Sequence, residues 1–209
     1  MLTKTQREIK DFIKKRNIIT LAHFTQLENL DSILKNGLLS KNDLATKQIS
    51  YEHNDQLRLE GKNNALCLSI SFPNYKMFYK YRCEKKGEWC VLALDPSILY
   101  EKNCLFCISN AASSSELTRS DSEKMNLPGL KKLFYDATLY RDSINLPKRY
   151  TTNPQAEVLV LDSIEPKYIN GIHFDRKHKK FHEFVSKYPK FNFHVSVNAF
   201  GPRCDYERW

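Results

Sequence analysis

The run of residues from Thr151 to Leu161 constrains the fold and the chemistry of this chain more than any other segment. Its sequence, TTNPQAEVLVL, passes from a polar loop into an apolar strand, with Gln155 and Glu157 at the junction. Side chains alternate between the faces of a strand, so Glu157 should point to the same side as Leu159 and Leu161. A carboxylate on an apolar side is costly unless hydrogen-bond donors or cations meet it. The pattern is typical either of a glutamate exposed at a strand end or of a functional carboxylate, and the rest of the chain decides between them.

Length and composition indicate a folded protein. The chain has 209 residues, of which 41 % are hydrophobic, and this fits a single domain over residues 1–209. No apolar run is long enough to span a bilayer, and the N-terminus lacks the apolar region of a signal peptide. We therefore expect a cytoplasmic protein without membrane contact. The formal net charge of +9 favours a polyanionic partner such as DNA, RNA or an anionic cofactor.

Cysteine and histidine spacing gives little support for a metal site. The pair Cys104 and Cys107 and the pair His178 and His182 have the short spacing of zinc ligands, but the two pairs lie far apart along the chain. Six cysteines at irregular positions fit reduced thiols better than a disulfide framework. We expect no bound metal.

The hydrophobic pattern predicts an α+β protein with a strand-rich core. A basic amphipathic helix is predicted over residues 2–16, and Thr25 with Glu28 is expected to form a capping box at the start of the next helix. The polar segment 40–64 is too long for a turn and is typical of a functional loop. The serine-rich segment 109–126 is expected to be a mobile surface excursion. Strands are predicted at 17–24, 65–72 and 89–94, at Glu157 and beyond, and at 171–174 and 191–197.

Three of the predicted strands carry polar side chains in an informative order. His23 and Thr25 lie at the end of the first strand, Ser69 and Ser71 share a face of the second, and Glu157 opens a later one. This order resembles the ADP-ribosyltransferase fold, in which a split β-sheet with flanking helices binds NAD+. The resemblance is closer to one family, the DarT toxins, which ADP-ribosylate bases in single-stranded DNA. The segments that carry it are AHFTQLENL from Ala22, DQLRL from Asp55, LSISFPNYKMFY from Leu68 and NPQAEVLV from Asn153.

The resemblance implies roles for particular residues. Glu157 would stabilise the positive charge that develops on the ribose when the bond to nicotinamide breaks, as in other glycosyl transfers. Arg58, the second residue expected to be catalytic, would contact the pyrophosphate, which its guanidinium fork suits, or help to deprotonate and orient the target base. The residues that would bind NAD+, the ADP-ribose donor, are His23, Thr25, Arg58, Ser69, Ser71 and Tyr79.

The resemblance also implies how the acceptor is recognised. Gln155, two residues before Glu157 and expected on the same strand face, would help to select the acceptor, since an amide can read a base edge. Lys148, Arg149 and Tyr150 combine positive charge with an aromatic ring, which suits single-stranded DNA. The target base, thymine or guanine, is not readable from these motifs. A neutralising antitoxin of the macrodomain type is the further partner that the resemblance implies.

Two other classes of function remain open from the sequence. A transferase of the same fold could act on RNA or protein, because positive charge does not separate these acceptors from DNA. A basic module that binds nucleic acid without catalysis would also explain the charge, but it would have no use for a carboxylate on the apolar side of a strand.

Overall fold

The described residues form a mixed sheet of seven strands in the order β4-β5-β2-β1-β3-β6-β7. The structure is a computed structural model that describes residues 1–51, 62, 64–177 and 179–209. Neighbouring strands are antiparallel except for β6 and β7, which are parallel. The strands are β1 Leu21–Gln26, β2 Leu66–Ile70, β3 Trp89–Leu94, β4 Cys104–Cys107, β5 Glu157–Val160, β6 Ile169–Phe174 and β7 Phe193–Val195.

The sheet is split between its two central strands. β1 pairs with β3 along its whole length, from Leu21 opposite Leu94 to Gln26 opposite Trp89. It pairs with β2 only at its first two residues, Leu21 and Ala22. Beyond Ala22 the two strands diverge, so their backbone groups no longer meet in a ladder. The gap between them is the feature of the fold that positions the candidate site.

Helices pack on both sides of this sheet. The first helix confirms the prediction for residues 2–16 to within two residues, because Thr3 caps it and accepts a hydrogen bond from the Gln6 backbone N–H. Its buried residues Ile9 and Ile13 join the main core. The helices are α1 Lys4–Arg16, α2 Leu30–Asn36, α3 Lys41–Thr46, α4 Tyr75–Glu84, α5 Ile98–Glu101, α6 Ser114–Leu117, α7 Asp121–Lys124, α8 Asn126–Lys132, α9 Tyr140–Ser143 and α10 Lys179–Lys187. Among the helices that the structure describes, none is long and apolar enough to cross a membrane.

The predicted capping box at Thr25 and Glu28 is wrong. Thr25 lies inside β1, which continues to Gln26 because that residue pairs with Trp89 of β3. A short 3-10 turn over Leu27–Asn29 follows without a side-chain cap. The Thr25 hydroxyl oxygen instead accepts a hydrogen bond from Asn29 Nδ2 at 3.1 Å. Strand pairing therefore overrides the local capping signal at this position.

The predicted loose excursion over residues 109–126 is also wrong. The segment contains α6 and α7 and carries a buried glutamate, Glu116, which is only 1 % exposed. Arg119 binds this carboxylate with contacts of 2.8 and 2.9 Å, and the buried Lys124 donates to the Glu116 carbonyl oxygen at 2.7 Å. These contacts of the buried Glu116 carboxylate and carbonyl hold the segment in place, although its sequence is rich in serine.

Candidate active site

A cleft opens where β1 and β2 diverge. The cleft is open to solvent at its mouth, and residues of both strands, of α2 and of α4 line it. Apolar side chains from α2, β2 and α4 form much of the wall, including Ile33, Leu68 and Met77. The polar side chains that line the cleft include His23, Thr25, Ser69, Asn74, Asn110 and Glu157.

Glu157 is the first residue of β5, and only 4 % of it is exposed. Its Oε2 accepts a hydrogen bond from the Ala111 backbone N–H at 2.8 Å. Its Oε1 accepts from the side-chain amides of Asn110 and Asn74, at 3.3 and 3.4 Å. An ionised carboxylate only accepts hydrogen bonds, so three donors suit its charged form. The alternative of a glutamate simply exposed at a strand end is therefore excluded.

Asn74 and Asn110 are contacts of Glu157 that the sequence analysis missed. Asn74 caps α4 by accepting from the Met77 backbone N–H at 3.3 Å, and its own backbone N–H donates to the Ser69 hydroxyl at 3.2 Å. Its position after a proline and before a helix indicates a cap, but no local pattern places it beside Glu157. The contact depends on the pairing of β2 with β5.

The turn that presents Asn110 is held by the buried Glu116. Asn110 Oδ1 accepts from the Ala112 backbone N–H at 2.9 Å, which fixes the amide so that Nδ2 faces Glu157. Two residues before Asn110, the Ile108 backbone N–H donates to Glu116 Oε1 at 3.0 Å. Glu116 therefore supports Glu157 through the backbone of this turn.

A cysteine lies opposite Glu157 in the sheet. Cys107 of β4 pairs with Glu157 of β5 and is fully buried. Burial, with a smaller contribution from Glu116, raises the pKa of the Cys107 thiol to about 12. The thiol is neutral near neutral pH, so it does not compete with Glu157 as a charged group or as a nucleophile.

His23 bridges the two diverging strands. Its Nδ1 lies 2.9 Å from the Cys67 carbonyl oxygen of β2. A carbonyl oxygen only accepts, so Nδ1 carries the hydrogen and Nε2 is the acceptor nitrogen of the neutral ring. The ring thus lies in the cleft with a defined tautomer.

The structure brings some of the predicted NAD+-binding residues to the cleft and not others. Thr25 and Ser69 are buried and line it. Ser71 lies beyond the end of β2, not on its face, with a left-handed backbone at φ 63°. Its buried hydroxyl has no hydrogen-bond partner in the part of the chain that the structure describes. A left-handed serine is uncommon and is often found at functional sites.

Tyr79 is on the opposite side of α4 from the cleft and is 64 % exposed. Met77 and Tyr81 of the same helix line the cleft instead. Residues two positions apart on a helix are rotated by about 200° about its axis, so Tyr79 points away from the side on which Met77 and Tyr81 lie. Arg58, the remaining predicted residue, lies outside the described residues.

The predicted acceptor-binding residues lie in the loop before β5. Gln155 is not on the strand face with Glu157 as expected, because Asn153 forms a turn in which its Oδ1 accepts from the Gln155 backbone N–H at 2.8 Å. Tyr150 packs its ring against Phe72, with ring centres 5.8 Å apart, and the Arg149 guanidinium lies 5.0 Å from the Tyr150 ring. Lys148 is exposed.

A buried arginine near the C-terminus holds the same loop, and the sequence analysis missed it. Arg203 is 2 % exposed and donates to both carboxylate oxygens of Asp205, each at 2.6 Å. It also donates to the carbonyl oxygens of Thr151, at 2.9 Å, and Thr152, at 3.2 Å. Burial opposes the charge of Asp205, but the hydrogen bonds and charge of Arg203 outweigh it, so the pKa of Asp205 is lowered.

This geometry agrees with a family assignment made from the sequence. The profile of the DarT family, described as ssDNA thymidine ADP-ribosyltransferase, matches residues 22–192. The chain belongs to the DarT family. No curated protein matches the sequence of this DarT family member.

Solved structures with the same fold are DarT proteins. Thermosipho africanus DarTG in complex with ADP-ribose has a TM-score of 0.62 at 20 % identity, over 88 % of this chain and 52 % of that one. The chain thus spans about half the length of that relative. Thermus sp. 2.9 DarT in complex with NAD+ has a TM-score of 0.54 at 16 % identity, over 88 % and 98 % of the two chains. The same protein in complex with ADP-ribosylated ssDNA has a TM-score of 0.57 at 15 % identity, over 88 % and 97 %.

The comparisons confirm the predicted family, its class of enzyme and the α+β split-sheet fold. They do not test the roles of individual residues or the single domain expected over 1–209, and these expectations, with the antitoxin, stay predictions.

Proposed function

We propose that this chain transfers ADP-ribose from NAD+ to thymidine in single-stranded DNA. The observation that carries the proposal is the buried Glu157 carboxylate, held by three hydrogen-bond donors at the wall of the open cleft between β1 and β2. The family described as ssDNA thymidine ADP-ribosyltransferase supports the choice of reaction and acceptor. NAD+ supplies an activated glycosidic bond, whose electron pair leaves with nicotinamide while positive charge grows on the ribose.

Glu157 stabilises that charge and accepts a hydrogen bond from a ribose hydroxyl. The interaction accelerates the reaction because it strengthens as the ribose becomes cationic. Asn74 and Asn110 hold the carboxylate in one orientation, so little reorganisation is needed at the moment of reaction. His23, with Nε2 as acceptor, can bind a ribose hydroxyl or the amide of the nicotinamide group.

The acceptor is a base, and its hydrogen-bonding groups are complementary to those of a side-chain amide. The ring N–H of thymine attacks the ribose carbon that loses nicotinamide, and its proton passes to solvent or to a nearby acceptor. Gln155 carries one donor and one acceptor and so complements the neighbouring N–H and carbonyl of thymine. Tyr150 and Arg149 provide a ring and a charge for the unpaired strand. A base in a duplex is stacked and paired, which favours single-stranded substrate.

The wider role follows from the family resemblance. A DarT protein that modifies thymidine would block replication, and we propose that this chain acts in the cytoplasm as the toxin of a toxin–antitoxin pair with a macrodomain-type antitoxin. The similarity to a protein described as DarTG supports this role. Expression of the wild-type chain should arrest growth, and expression of Glu157→Gln should not. Equal toxicity of the two would contradict the proposal.

The activity is tested by NAD+ consumption with single-stranded DNA, RNA and duplex DNA. The wild type is compared with Glu157→Gln, which keeps the shape of the side chain, and with Glu183→Gln, which removes an exposed carboxylate of α10. We expect turnover with single-stranded DNA, a loss of about 10²-fold or more in Glu157→Gln and none in Glu183→Gln. Turnover with RNA alone would keep the fold and change the acceptor. The absence of NAD+ turnover with any acceptor would favour a non-catalytic nucleic-acid-binding module.

A further inference from the structure

Arg16 is a half-buried cation that packs against two aromatic rings. It is the last residue of α1, and its guanidinium lies over two phenylalanine rings, 5.5 Å from the centre of Phe12 and 4.7 Å from that of Phe134. Within the part of the chain that the structure describes, it makes no hydrogen bond to a side chain or backbone oxygen and no ion pair. Of the two buried arginines that the structure describes, Arg203 is paired with Asp205, and Arg141 donates to the neutral oxygens of Thr152 and Pro147.

An arginine in this setting is suited to an anionic ligand. Its burial lowers the pKa of the guanidinium, which shows that the surroundings disfavour the charge. A phosphate would offset that cost, and the two aromatic rings hold the planar guanidinium so that its N–H groups keep one orientation. Less conformational entropy is then lost when the phosphate binds.

The position of Arg16 connects it to the acceptor loop. Phe134 also carries the guanidinium of Arg141, 5.8 Å from the ring centre. Arg141 donates to the Thr152 hydroxyl at 3.1 Å, and the Thr152 backbone N–H donates to the Leu133 carbonyl oxygen at 2.8 Å. This part of the loop is three residues from Gln155. Arg16 and the arginine that holds this loop thus pack against the same ring, Phe134.

The two arginines on Phe134 differ in what they can still bind. Arg141 is buried and donates both to Thr152 and to the Pro147 carbonyl oxygen, so its role is to hold the loop. Arg16 is only half-buried and has donors to offer. The next residue after Phe134, Tyr135, is 72 % exposed and presents a ring at the same end of α8. Positive charge beside an exposed aromatic ring is the combination that single-stranded nucleic acid binds.

We propose that Arg16 binds a backbone phosphate of the acceptor DNA strand, next to the target nucleotide, and that Tyr135 stacks on a neighbouring base. The proposal rests on the proposed function in taking single-stranded DNA as the acceptor. It adds a phosphate site on α1, which precedes the residues 22–192 that match the family.

A purely structural role for Arg16 predicts a different outcome. A positive charge at the C-terminus of a helix interacts favourably with the helix dipole, and an arginine stem covers apolar surface. Arg16→Met keeps a long apolar side chain over the two rings and removes only the charge and its donors. Arg7→Met is the matched control, because Arg7 lies on the same helix, is exposed and donates to the Leu2 carbonyl oxygen.

The test is the affinity for a single-stranded, thymidine-containing oligonucleotide, measured by fluorescence anisotropy without NAD+ at several salt concentrations. We expect Arg16→Met to weaken binding by about 5- to 20-fold. We also expect it to reduce the slope of log affinity against log salt by about 0.7, which is the loss of one phosphate contact. Arg7→Met should change the affinity less than about twofold, since exposed cations away from the strand are screened. NAD+ hydrolysis in the absence of DNA should be unchanged in both variants.

An unchanged salt slope in Arg16→Met would overturn the phosphate site while leaving the proposed function in place. A wild type that binds no single-stranded DNA and transfers no ADP-ribose would overturn the proposed function itself. Melting temperatures check that both variants fold. If Arg16→Met melts more than about 10 °C below the wild type, Arg16→Gln, which removes the same charge, takes its place in the comparison.

Discussion

The change Asp205→Asn tests how the C-terminal segment supports the acceptor loop. It keeps the shape of the side chain but leaves Arg203 as a buried cation without its carboxylate. The pair is bidentate, with both contacts at 2.6 Å, and both residues are at most 5 % exposed. Removing one partner of such a pair costs about 3–5 kcal/mol of unfolding free energy, because the other charge stays desolvated. For a chain of this size, that loss lowers the melting temperature by about 6–20 °C.

The same change should lower the transfer of ADP-ribose to DNA more than the hydrolysis of NAD+. Arg203 donates to the carbonyl oxygens of Thr151 and Thr152, so a displaced guanidinium releases the loop that carries Gln155. Glu157 is held by the separate donors of Asn74, Asn110 and Ala111. The expected result is therefore a lower ratio of ADP-ribosylated DNA to free ADP-ribose at a temperature where the variant is folded.

The assay is thermal unfolding together with product analysis, and the control is Glu165→Gln. Glu165 pairs with Lys102 at 2.7 Å, but its side chain is 48 % exposed, so its loss should cost at most about 1 kcal/mol. A shift of less than 2 °C in Asp205→Asn would refute the stability argument. An unchanged ratio of transfer to hydrolysis would refute the link between Arg203 and the acceptor.

Three further changes test the support of Glu157 and the electrostatics of the fold. Asn110→Ala removes one donor to Glu157 and should lower kcat about tenfold with little change in the KM for NAD+, measured by steady-state kinetics. Glu116→Gln should lower kcat in the same way, and its effect should not add to that of Asn110→Ala, because both act through one turn; full additivity would contradict the shared route. The pKa of Asp31 is lowered by hydrogen bonds, first from Lys187, so its contribution to stability is complete at neutral pH and is lost as pH falls below about 4. Urea unfolding between pH 3 and pH 7 should therefore show a weaker acid dependence in Asp31→Asn, and equal slopes would contradict this sign.

The position of the central carboxylate was predictable from the sequence because its signal is local. A few residues suffice to show that a glutamate at the start of an apolar strand will be buried at a cost in free energy. In the structure, three hydrogen-bond donors offset that cost. The apolar pattern of the strands and of α1 is local in the same sense.

The partners of Glu157 were not predictable in this way. Asn74 and Asn110 meet Glu157 only after β2, β4 and β5 pair, and no spacing along the chain encodes that contact. Thr25 shows the converse, because a strong capping pattern was overridden by the pairing of β1 with β3.

Two further predictions were wrong about the direction in which a side chain points. Tyr79 has the right chemistry for a ring-stacking role, but it lies on the outer side of α4, and a helical pattern rich in aromatic residues does not say which side faces a cleft. Gln155 was placed on the strand because Gln-x-Glu alternates like a strand, whereas the side chain of Asn153 forms a turn that delays β5 to Glu157.

The measurement that tests the central claim most directly is the mass of the DNA product. Wild type and Glu157→Gln are incubated with NAD+ and a single-stranded oligonucleotide, beside a second oligonucleotide in which every thymidine is replaced by deoxycytidine. The account predicts a gain of one ADP-ribose on the first oligonucleotide by the wild type only, with fragmentation placing it on thymidine. An adduct of the same yield in Glu157→Gln, or one that persists when thymidine is replaced by deoxycytidine, would contradict it.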